Sequence, residues 1–258
     1  MSGAMRPNRH VLVFADSLAF HGPDAPHPPN DPRLYPNVMA AAMSSSLGVD
    51  VSSDLVARLG WTARDAWWAL TKDPRVWGEL VPRADAIVLG VGQMDHLPAA
   101  LPTYLRDGIP YVRPGSLRRR VRTAYTTATP WVIRATGGRL RQLPQAATDH
   151  YLARIVEGIH HYRPGIPVVL VGPSPHSASA YPTHRQHAPA VVAARRWASE
   201  HGAGFVDLDP IVAPSLSAGT GNPDGIHWSW DVHTTIGHAL ASDLSLLRCP
   251  DRGPRTSG

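Results

Sequence analysis

The stretch Val11-Leu12-Val13-Phe14-Ala15-Asp16-Ser17-Leu18 decides the fold class of this 258-residue chain. Its first five residues are all apolar, which is typical of a central parallel strand that is buried on both faces. Asp16 and Ser17 follow directly at the carboxyl end of that strand. Ligands bind at this edge of parallel α/β sheets, so the stretch predicts both a sheet and the position of a functional site.

Further apolar runs alternate with helical patterns along the rest of the chain. The additional strands are predicted over residues 51–59, 85–91, 166–171 and 205–208. The helices are predicted over residues 36–47, 63–70, 150–162, 188–201 and 231–247. This alternation predicts an α/β fold, a three-layer α/β/α sandwich around a mainly parallel, five-stranded sheet. One domain is expected over residues 10–247, with disordered tails at 1–9 and 248–258.

Residues 97–147 interrupt the alternation with a segment rich in proline and arginine. The segment is too long for an ordinary connection, so we expect a lid or a binding insertion. Between positions 104 and 142 it carries nine arginines and one acidic residue, Asp107. Guanidinium groups pair well with phosphates and carboxylates, which favours an anionic ligand. A solvated arginine face is an equally good interpretation.

Composition narrows the class of protein. Hydrophobic residues make up 43% and charged residues 17% of the chain, with 26 Pro and 22 Gly, which excludes a coiled coil and a disordered chain. Cys249 is the single cysteine, so an intramolecular disulfide and a cysteine-based metal site are excluded. The apolar run at 11–15 is too short for a signal peptide, and no stretch is long enough for a membrane-spanning helix. We therefore expect a soluble, cytoplasmic protein.

Residues that can take part in catalysis follow the predicted strands in a defined order. Ser17 follows the first strand, Gly60 the second and residues 92–95 the third, while Asp224 and His227 share a late loop. A serine nucleophile needs an imidazole to accept its proton and a carboxylate to orient that imidazole. A tetrahedral intermediate also needs hydrogen-bond donors for its oxyanion. The ordered set predicts an acyl-transfer site.

These four blocks resemble the SGNH, or GDSL, hydrolase family over roughly residues 10–247. The resemblance implies a flavodoxin-like sandwich in which Ser17 is the nucleophile, His227 the general base and Asp224 its orienting partner. It implies an oxyanion hole formed by the backbone N–H groups of Ser17 and Gly60. It implies no metal and no cofactor.

The third block departs from the family pattern, Gly-x-Asn-Asp. Here the sequence is Gly92-Gln93-Met94-Asp95, so Met94 stands where the family has an oxyanion-donating asparagine. A thioether cannot donate a hydrogen bond. The adjacent Gln93 is a candidate replacement donor, although a solvated side chain is the simpler interpretation.

Longer stretches, at residues 12–18, 59–68 and 221–228, resemble a mycobacterial group of sugar acyltransferases within this family that also lacks the block-three asparagine. That resemblance implies transfer of an octanoyl group from octanoyl-CoA to a sugar hydroxyl of diglucosylglycerate, a precursor of methylglucose lipopolysaccharides. The acyl-CoA and the sugar would be the small-molecule partners. Candidate substrate-binding residues are Trp61, Arg64, Asp95 and Trp228, because indoles suit sugar stacking and the walls of an acyl pocket.

The residues leave alternatives open. The same triad serves a carbohydrate esterase or a lipase-like hydrolase if water replaces the sugar hydroxyl. A non-catalytic sugar-binding module would keep the fold, although it has no use for all three triad residues. His233, close to Asp231, is a rival to His227 as the base.

Metal and nucleic-acid partners are not predicted. The pairs His160-His161 and His184–His187 have no carboxylate at a known ligand spacing. The net charge of +5 comes almost wholly from arginine, and the arginines are not interleaved with an aromatic platform for bases.

Overall fold

The computed structural model describes residues 8–246. The predicted tail at 248–258 and residues 1–7 lie outside the described residues. Asn8 and Arg9, which the sequence assigned to a disordered tail, belong to the first strand, where they pair with Asp50 and Val51 of its neighbour. The strand thus begins two residues before the predicted domain boundary, because a parallel partner is available for both.

A five-stranded sheet forms the centre of the molecule. Its strands in chain order are β1 (Asn8–Ala15), β2 (Asp50–Ala57), β3 (Ala86–Gly90), β4 (Val168–Val171) and β5 (Gly204–Val206). They lie in the order β2-β1-β3-β4-β5, and every neighbouring pair is parallel. The predicted α/β class is confirmed, and the sheet is parallel throughout.

Helices connect the strands and cover both faces of the sheet. They are α1 (Tyr35–Leu47), α2 (Ala63–Lys72), α3 (Val81–Arg83), α4 (Thr103–Gly108), α5 (Gly115–Thr136), α6 (Gln145–Tyr162), α7 (His187–Glu200), α8 (Asp209–Ala218) and α9 (Trp230–Leu246). Within residues 8–246, no helix has both the length and the hydropathy that crossing a bilayer requires.

Alternate residues of the strands enter two separate cores, as the two-residue period of a strand requires. On one face, Leu12 and Phe14 pack in a cluster with side chains of α2, α6 and α7, among them the fully buried Ile155. On the other face, Val11 and Val13 pack with side chains of α1, α8 and α9. These two cores give the three predicted layers.

The segment predicted as an insertion is a helical excursion, formed by α4 and α5. Its two ends lie side by side, because Ala99 N–H donates to Leu140 O at 2.9 Å and Gln142 N–H donates to Leu97 O at 2.8 Å. α5 is mostly exposed, and only Thr129 and Ile133 are buried among its residues. The excursion is therefore anchored at its base and projects from the sheet domain.

Besides α3, α4 and α5, which the sequence did not predict as helices, α6 and α8 differ from the sequence prediction. α6 begins at Gln145 rather than at 150, because Pro144 sets the first turn and its carbonyl accepts the N–H groups of Ala147 and Thr148 at 2.9 and 3.0 Å. α8 was not predicted, although Asp209-Pro210 is a helix-start signal with proline in the first turn. Its short length and the internal Pro214 weaken the helical period.

The buried position of Ile155 makes a stability prediction. Ile155→Ala removes most of a fully buried side chain from the core below the sheet, so the free energy of unfolding should fall by about 2–5 kcal/mol. Val192→Ala on α7 is the matched control, because Val192 is 70% exposed and its loss should change the value by less than about 0.5 kcal/mol. Urea unfolding of both variants measures the difference, and equal values would contradict the assignment of the core.

Candidate active site

The end of β1 positions Ser17. Oδ1 of the buried Asp16 accepts the N–H of Leu18 at 2.9 Å and starts a single helical turn over Ser17–Ala19. The Ser17 carbonyl then accepts the N–H of His21 at 2.9 Å, which closes the turn. Ser17 is thereby held at the carboxyl edge of the central strand.

A tight loop presents the carboxylate and the imidazole. Asp224 Oδ1 accepts the N–H groups of Ile226 and His227 at 2.8 and 3.1 Å. Gly225 has a φ of +71°, and a Cβ there would lie 2.6 Å from the carbonyl carbon of Ser177. Both its backbone conformation and the close approach of another loop therefore require glycine.

Three side chains predicted from the sequence meet in a hydrogen-bonded chain. His227 Nε2 lies 3.0 Å from Ser17 Oγ, and His227 Nδ1 lies 2.6 Å from Asp224 Oδ2. Both distances are within the range of a hydrogen bond between a nucleophile, a base and its orienting group. The structure thus brings together residues that lie 210 positions apart in the chain.

The surroundings of the pair favour a neutral imidazole beside an ionised carboxylate. Partial burial tends to raise the pKa of Asp224, but hydrogen bonds from Ile226 and His227 lower it overall. Burial lowers the pKa of His227, partly opposed by the hydrogen bond and charge of Asp224, and the nearby His21 lowers it further. With the proton on Nδ1 facing Asp224, Nε2 is left as an acceptor for the Ser17 hydroxyl.

A second imidazole stacks on His227. The ring centroids of His21 and His227 are 3.7 Å apart, and the two planes differ by 19°. His21 Nδ1 donates to Gly22 O at 2.7 Å, which fixes the orientation of its ring. Sequence reasoning missed His21, since no hydrolase motif includes it, although its position four residues after Ser17 was a local signal.

His233, the rival base, does not contact Ser17. Its Nδ1 accepts the N–H of Tyr35 at 3.2 Å, and its Nε2 donates to the His21 carbonyl at 3.2 Å. Burial lowers its pKa to about 4, so the ring is neutral. Both nitrogens are occupied, and His233 supports the segment that carries His21.

A cavity of about 550 Å³ opens above Ser17. The loops after β1, β2, β3 and β4 form part of its wall, together with the start of α2, the helical excursion and the loop of His227. Its lining residues are Asp16, Ser17, Leu59, Gly60, Trp61, Thr62, Asp65, Met94, Asp95, Leu97, Arg106, Asp107, Gln142, Tyr181, Ile226 and His227. Ser17 and Gly60, the predicted oxyanion pair, and Trp61 all border this space.

Gln93 does not border the cavity. Its side chain is fully buried, and neither its Oε1 nor its Nε2 has a hydrogen-bond partner among the described residues. Met94 lines the cavity instead. The structure corrects the prediction of Gln93 as a replacement oxyanion donor, because the turn after β3 directs the neighbouring residue to the ligand space.

Asp95 borders the cavity, but its side chain is hydrogen-bonded to the ends of two helices. Its Oδ2 accepts the N–H of Ala63 at 3.3 Å and the hydroxyl of Thr148 at 2.9 Å, which joins the starts of α2 and α6. Burial raises its pKa to about 7. The contacts assign Asp95 a mainly structural position.

Two other predicted substrate contacts lie elsewhere. Trp228 is 1% exposed, and its indole N–H donates to Ser174 Oγ at 3.2 Å within the core. Arg64 does not line the cavity but forms an ion pair with Asp107 of α4. Sequence spacing could not separate these residues from Trp61, because burial depends on the packing of distant elements.

Residues missed by the sequence analysis complete the cavity. Arg106, Asp107 and Gln142 come from the arginine-rich segment, which was recognised only as a whole, and Tyr181 comes from the loop after β4. The sequence indicates these residues only weakly as part of a ligand site, since nothing in the local sequence distinguishes Arg106 from the other arginines of the segment.

Of the two histidine pairs considered for a metal, His184 and His187 lie in a cluster with His96 and His176, whereas His160 and His161 lie apart from it on α6. His187 lies 3.2 Å from His96 between Nδ1 and Nε2, and its Nε2 lies 2.6 Å from Asp209 Oδ1, a carboxylate that sequence spacing did not reveal. His176, next to His184, contacts Tyr181 of the cavity wall at 6.0 Å between ring centroids. Across residues 8–246, no group of three or more such side chains is arranged to hold a metal ion.

Comparisons with known proteins agree with this site. No protein-family model matches the chain. A lipase/acylhydrolase from Enterococcus faecalis has the same fold, with a TM-score of 0.61 over 95% of this chain and all of that one, at 15% identity. The fold, with its five parallel strands, is that of the SGNH, or GDSL, hydrolases.

Sequence relatives narrow the class. The chain is 41% identical over 246 residues to a diglucosylglycerate octanoyltransferase from Mycobacterium tuberculosis, covering 95% of this chain and 96% of that one. It is 43% identical over 253 residues to a protein of the same name from Mycolicibacterium hassiacum, covering 98% and 100%. The chain belongs to the diglucosylglycerate octanoyltransferase family.

The stacked imidazoles make a titration prediction. The His227 ring should lose its proton with a midpoint below the ordinary value of about 6.5, because burial disfavours the charged form. His21→Phe keeps a stacked ring but removes the neighbouring imidazole charge, so the midpoint should move to higher pH. NMR of the histidine ring protons measures both midpoints.

The exposed His150 provides the control for this titration. His150→Phe should leave the midpoint of His227 unchanged. A midpoint that stays constant or falls in His21→Phe would contradict the electrostatic contribution of His21.

Proposed function

We propose that this protein transfers an octanoyl group from octanoyl-CoA to a sugar hydroxyl of diglucosylglycerate. The observation that carries the proposal is the hydrogen-bonded chain of Ser17, His227 and Asp224 at the base of the 550 Å³ cavity. The names of the two relatives, which share more than two fifths of their residues with this chain, support the acyl group and the acceptor.

The first half of the reaction forms an acyl-enzyme. His227 Nε2 takes the proton of the Ser17 hydroxyl while Oγ attacks the thioester carbonyl and forms a new carbon–oxygen bond. The tetrahedral intermediate then expels the CoA sulfur as the carbon–sulfur bond breaks. The imidazolium of His227 returns its proton to that sulfur, which leaves octanoyl-Ser17 and free CoA.

The second half regenerates the enzyme. His227 accepts the proton of a sugar hydroxyl, whose oxygen attacks the ester carbonyl of octanoyl-Ser17. The bond to Ser17 Oγ breaks, and His227 returns the proton to Oγ. Asp224 remains ionised throughout and stabilises each imidazolium, because hydrogen bonds keep its pKa low.

Backbone donors stabilise the oxyanion in this proposal. Ser17 and Gly60 both border the cavity, and the positive φ of Gly60, +71°, sets the course of its loop. Met94 supplies no donor at the third position. The loss of one donor costs about 10²–10³ in turnover in other serine enzymes, so a slow reaction is expected.

The lining of the cavity combines apolar groups that suit an acyl chain with polar groups that suit a sugar. Leu59, Met94, Leu97 and Ile226 offer apolar groups and Trp61 an aromatic face, while polar and charged side chains form most of the other lining. Because the Met94 thioether carries no donor, it also gives water no hydrogen-bonding site next to the ester. Such exclusion of water favours a sugar hydroxyl over water as the acceptor.

The proposal requires no metal and no cofactor, since the nucleophile, the base and the donors all belong to the chain. Octanoyl-CoA enters as a substrate. We place the reaction in the cytoplasm, in keeping with an acyl-CoA donor and a chain whose single cysteine cannot form an internal disulfide.

Substitution of the triad tests the mechanism. Ser17→Ala and His227→Ala should each lower the rate of acceptor octanoylation by about 10⁴-fold or more, because nucleophile and base act as a unit. Mass spectrometry of CoA and of the acceptor measures the rate. Ser45→Ala and His150→Ala are matched controls, since both residues are exposed and neither lines the cavity. Full activity in Ser17→Ala, with its fold intact, would refute the acyl-enzyme.

Dependence on the acceptor tests the class of reaction. With octanoyl-CoA alone, little free CoA should form beyond one acylation per protein molecule, and addition of diglucosylglycerate should start turnover and produce an acceptor heavier by one octanoyl group. Continuous release of CoA and octanoate without the acceptor would identify a hydrolase on the same triad. Binding of the sugar with neither reaction would identify a sugar-binding module.

A further inference from the structure

The catalytic cavity has one arginine and no lysine among the described residues that line it. That arginine is Arg106, on α4 of the helical excursion. The other ionisable side chains of the lining are the carboxyl groups of Asp16, Asp65, Asp95 and Asp107 and the imidazole of His227. Arg106 is therefore the permanent cation that an anionic ligand meets in this cavity.

The acidic neighbour of Arg106 already has another partner. Asp107 forms a short hydrogen-bonded ion pair with Arg64 of α2 through its Oδ2. Its Oδ1 lies 3.8 Å from Arg106 Nε, which is beyond hydrogen-bond distance. Among residues 8–246, this approach of Asp107 Oδ1 is the closest charged contact of Arg106. The guanidinium of Arg106 therefore keeps N–H donors for a ligand.

Tyr181 lines the same cavity as Arg106. Tyr181 borders the cavity from the loop after β4. Burial raises the pKa of its hydroxyl, as does Tyr125, while the charge of Arg106 acts in the opposite direction. The two side chains thus provide a cation and a neutral hydroxyl donor on one part of the wall.

Other arginines of the excursion do not compete for this position. Arg119 and Arg120 on α5 are exposed, and neither borders the cavity. Arg106, by contrast, has a side chain that is only 23% exposed, so water screens its charge less. Arg141, at the base of the excursion, is half-buried near Asp95 and Asp149 and does not line the catalytic cavity. The arginine-rich segment therefore presents one guanidinium, that of Arg106, to this cavity.

We infer that Arg106, assisted by Tyr181, binds the carboxylate of a glycerate-containing acceptor and selects acidic glycosides over neutral ones. This inference rests on the proposed function, which supplies the acceptor. A guanidinium matches a carboxylate with two parallel hydrogen bonds, which fixes the orientation of the ligand as well as its position. The sugar rings then occupy the remaining cavity, where Trp61 offers an aromatic face.

The experiment compares two acceptors with two proteins. The acceptors are diglucosylglycerate and its carboxamide, which differ in charge at one group, and the proteins are the natural chain and Arg106→Gln. The KM for diglucosylglycerate should rise about 10- to 100-fold in Arg106→Gln, because a hydrogen-bonded charge pair is worth about 1.5–3 kcal/mol. The kcat should change little, and the KM for the carboxamide should stay within about twofold.

The control is Arg119→Gln, which removes the same charge from an exposed position outside the cavity. It should leave the KM for both acceptors unchanged. Thermal unfolding of each variant checks that the fold is intact. The decisive readout is that Arg106→Gln no longer distinguishes the acid from the amide, as in a double-mutant cycle.

Three results would overturn the inference. An equal loss with both acceptors would assign Arg106 a structural role. A raised KM for octanoyl-CoA with an unchanged KM for the acceptor would place a phosphate of the donor at Arg106. Equal discrimination between acid and amide by both proteins would place the carboxylate elsewhere.

Direct binding separates this inference from the proposed function. Calorimetry with diglucosylglycerate and its carboxamide, on Ser17→Ala and on Ser17→Ala combined with Arg106→Gln, needs no turnover. A preference for the acid that disappears with Arg106 would support the inference even if no octanoyl transfer were found. Transfer without that preference would support the function and refute the inference.

Discussion

The termination of β1 at Ala15 is the constraint on which the rest of the site depends. β1 is paired with a parallel neighbour on each side, so its carboxyl end can move only if two other strands move with it. The capping contact from Asp16 then turns the chain and leaves Ser17 on the edge of this rigid element. The loop of Asp224 and His227 has to reach that fixed hydroxyl, and the glycine at 225 lets it pack against a neighbouring loop while doing so.

Support for the imidazole extends well beyond its carboxylate partner. His21 covers one face of the His227 ring, and the His21 carbonyl is held by His233, which in turn accepts a hydrogen bond from the start of α1. Three histidines thus differ in their contacts, and only the ring of His227 lies within hydrogen-bond distance of the Ser17 hydroxyl. The arrangement raises the share of neutral imidazole near neutral pH, since burial and a neighbouring ring both disfavour the charged form.

The fold and the central three residues of the site were predictable from the sequence for different reasons. Five apolar runs alternating with helical periods determine a parallel sheet, because the period of each segment is a local property. Ser17, Asp224 and His227 lie in short blocks whose order fits one chemistry. The positions of Trp228 and Gln93 could not be predicted in this way. Whether a residue next to a motif faces the core or the cavity depends on the packing of elements far away in the chain, and sequence spacing does not record it.

The helical excursion meets the domain where Ala99 lies beside Leu140 and Leu97 beside Gln142. The chain therefore enters and leaves the excursion at nearly the same point. Arg106 and Gln142 reach the cavity from this excursion, whereas Ser17 and His227 belong to the edge of the sheet domain. Under the proposed function, reactivity and choice of ligand therefore lie in separable parts of one chain, and drift or exchange of the excursion during evolution would give new ligands to an unaltered reactive edge.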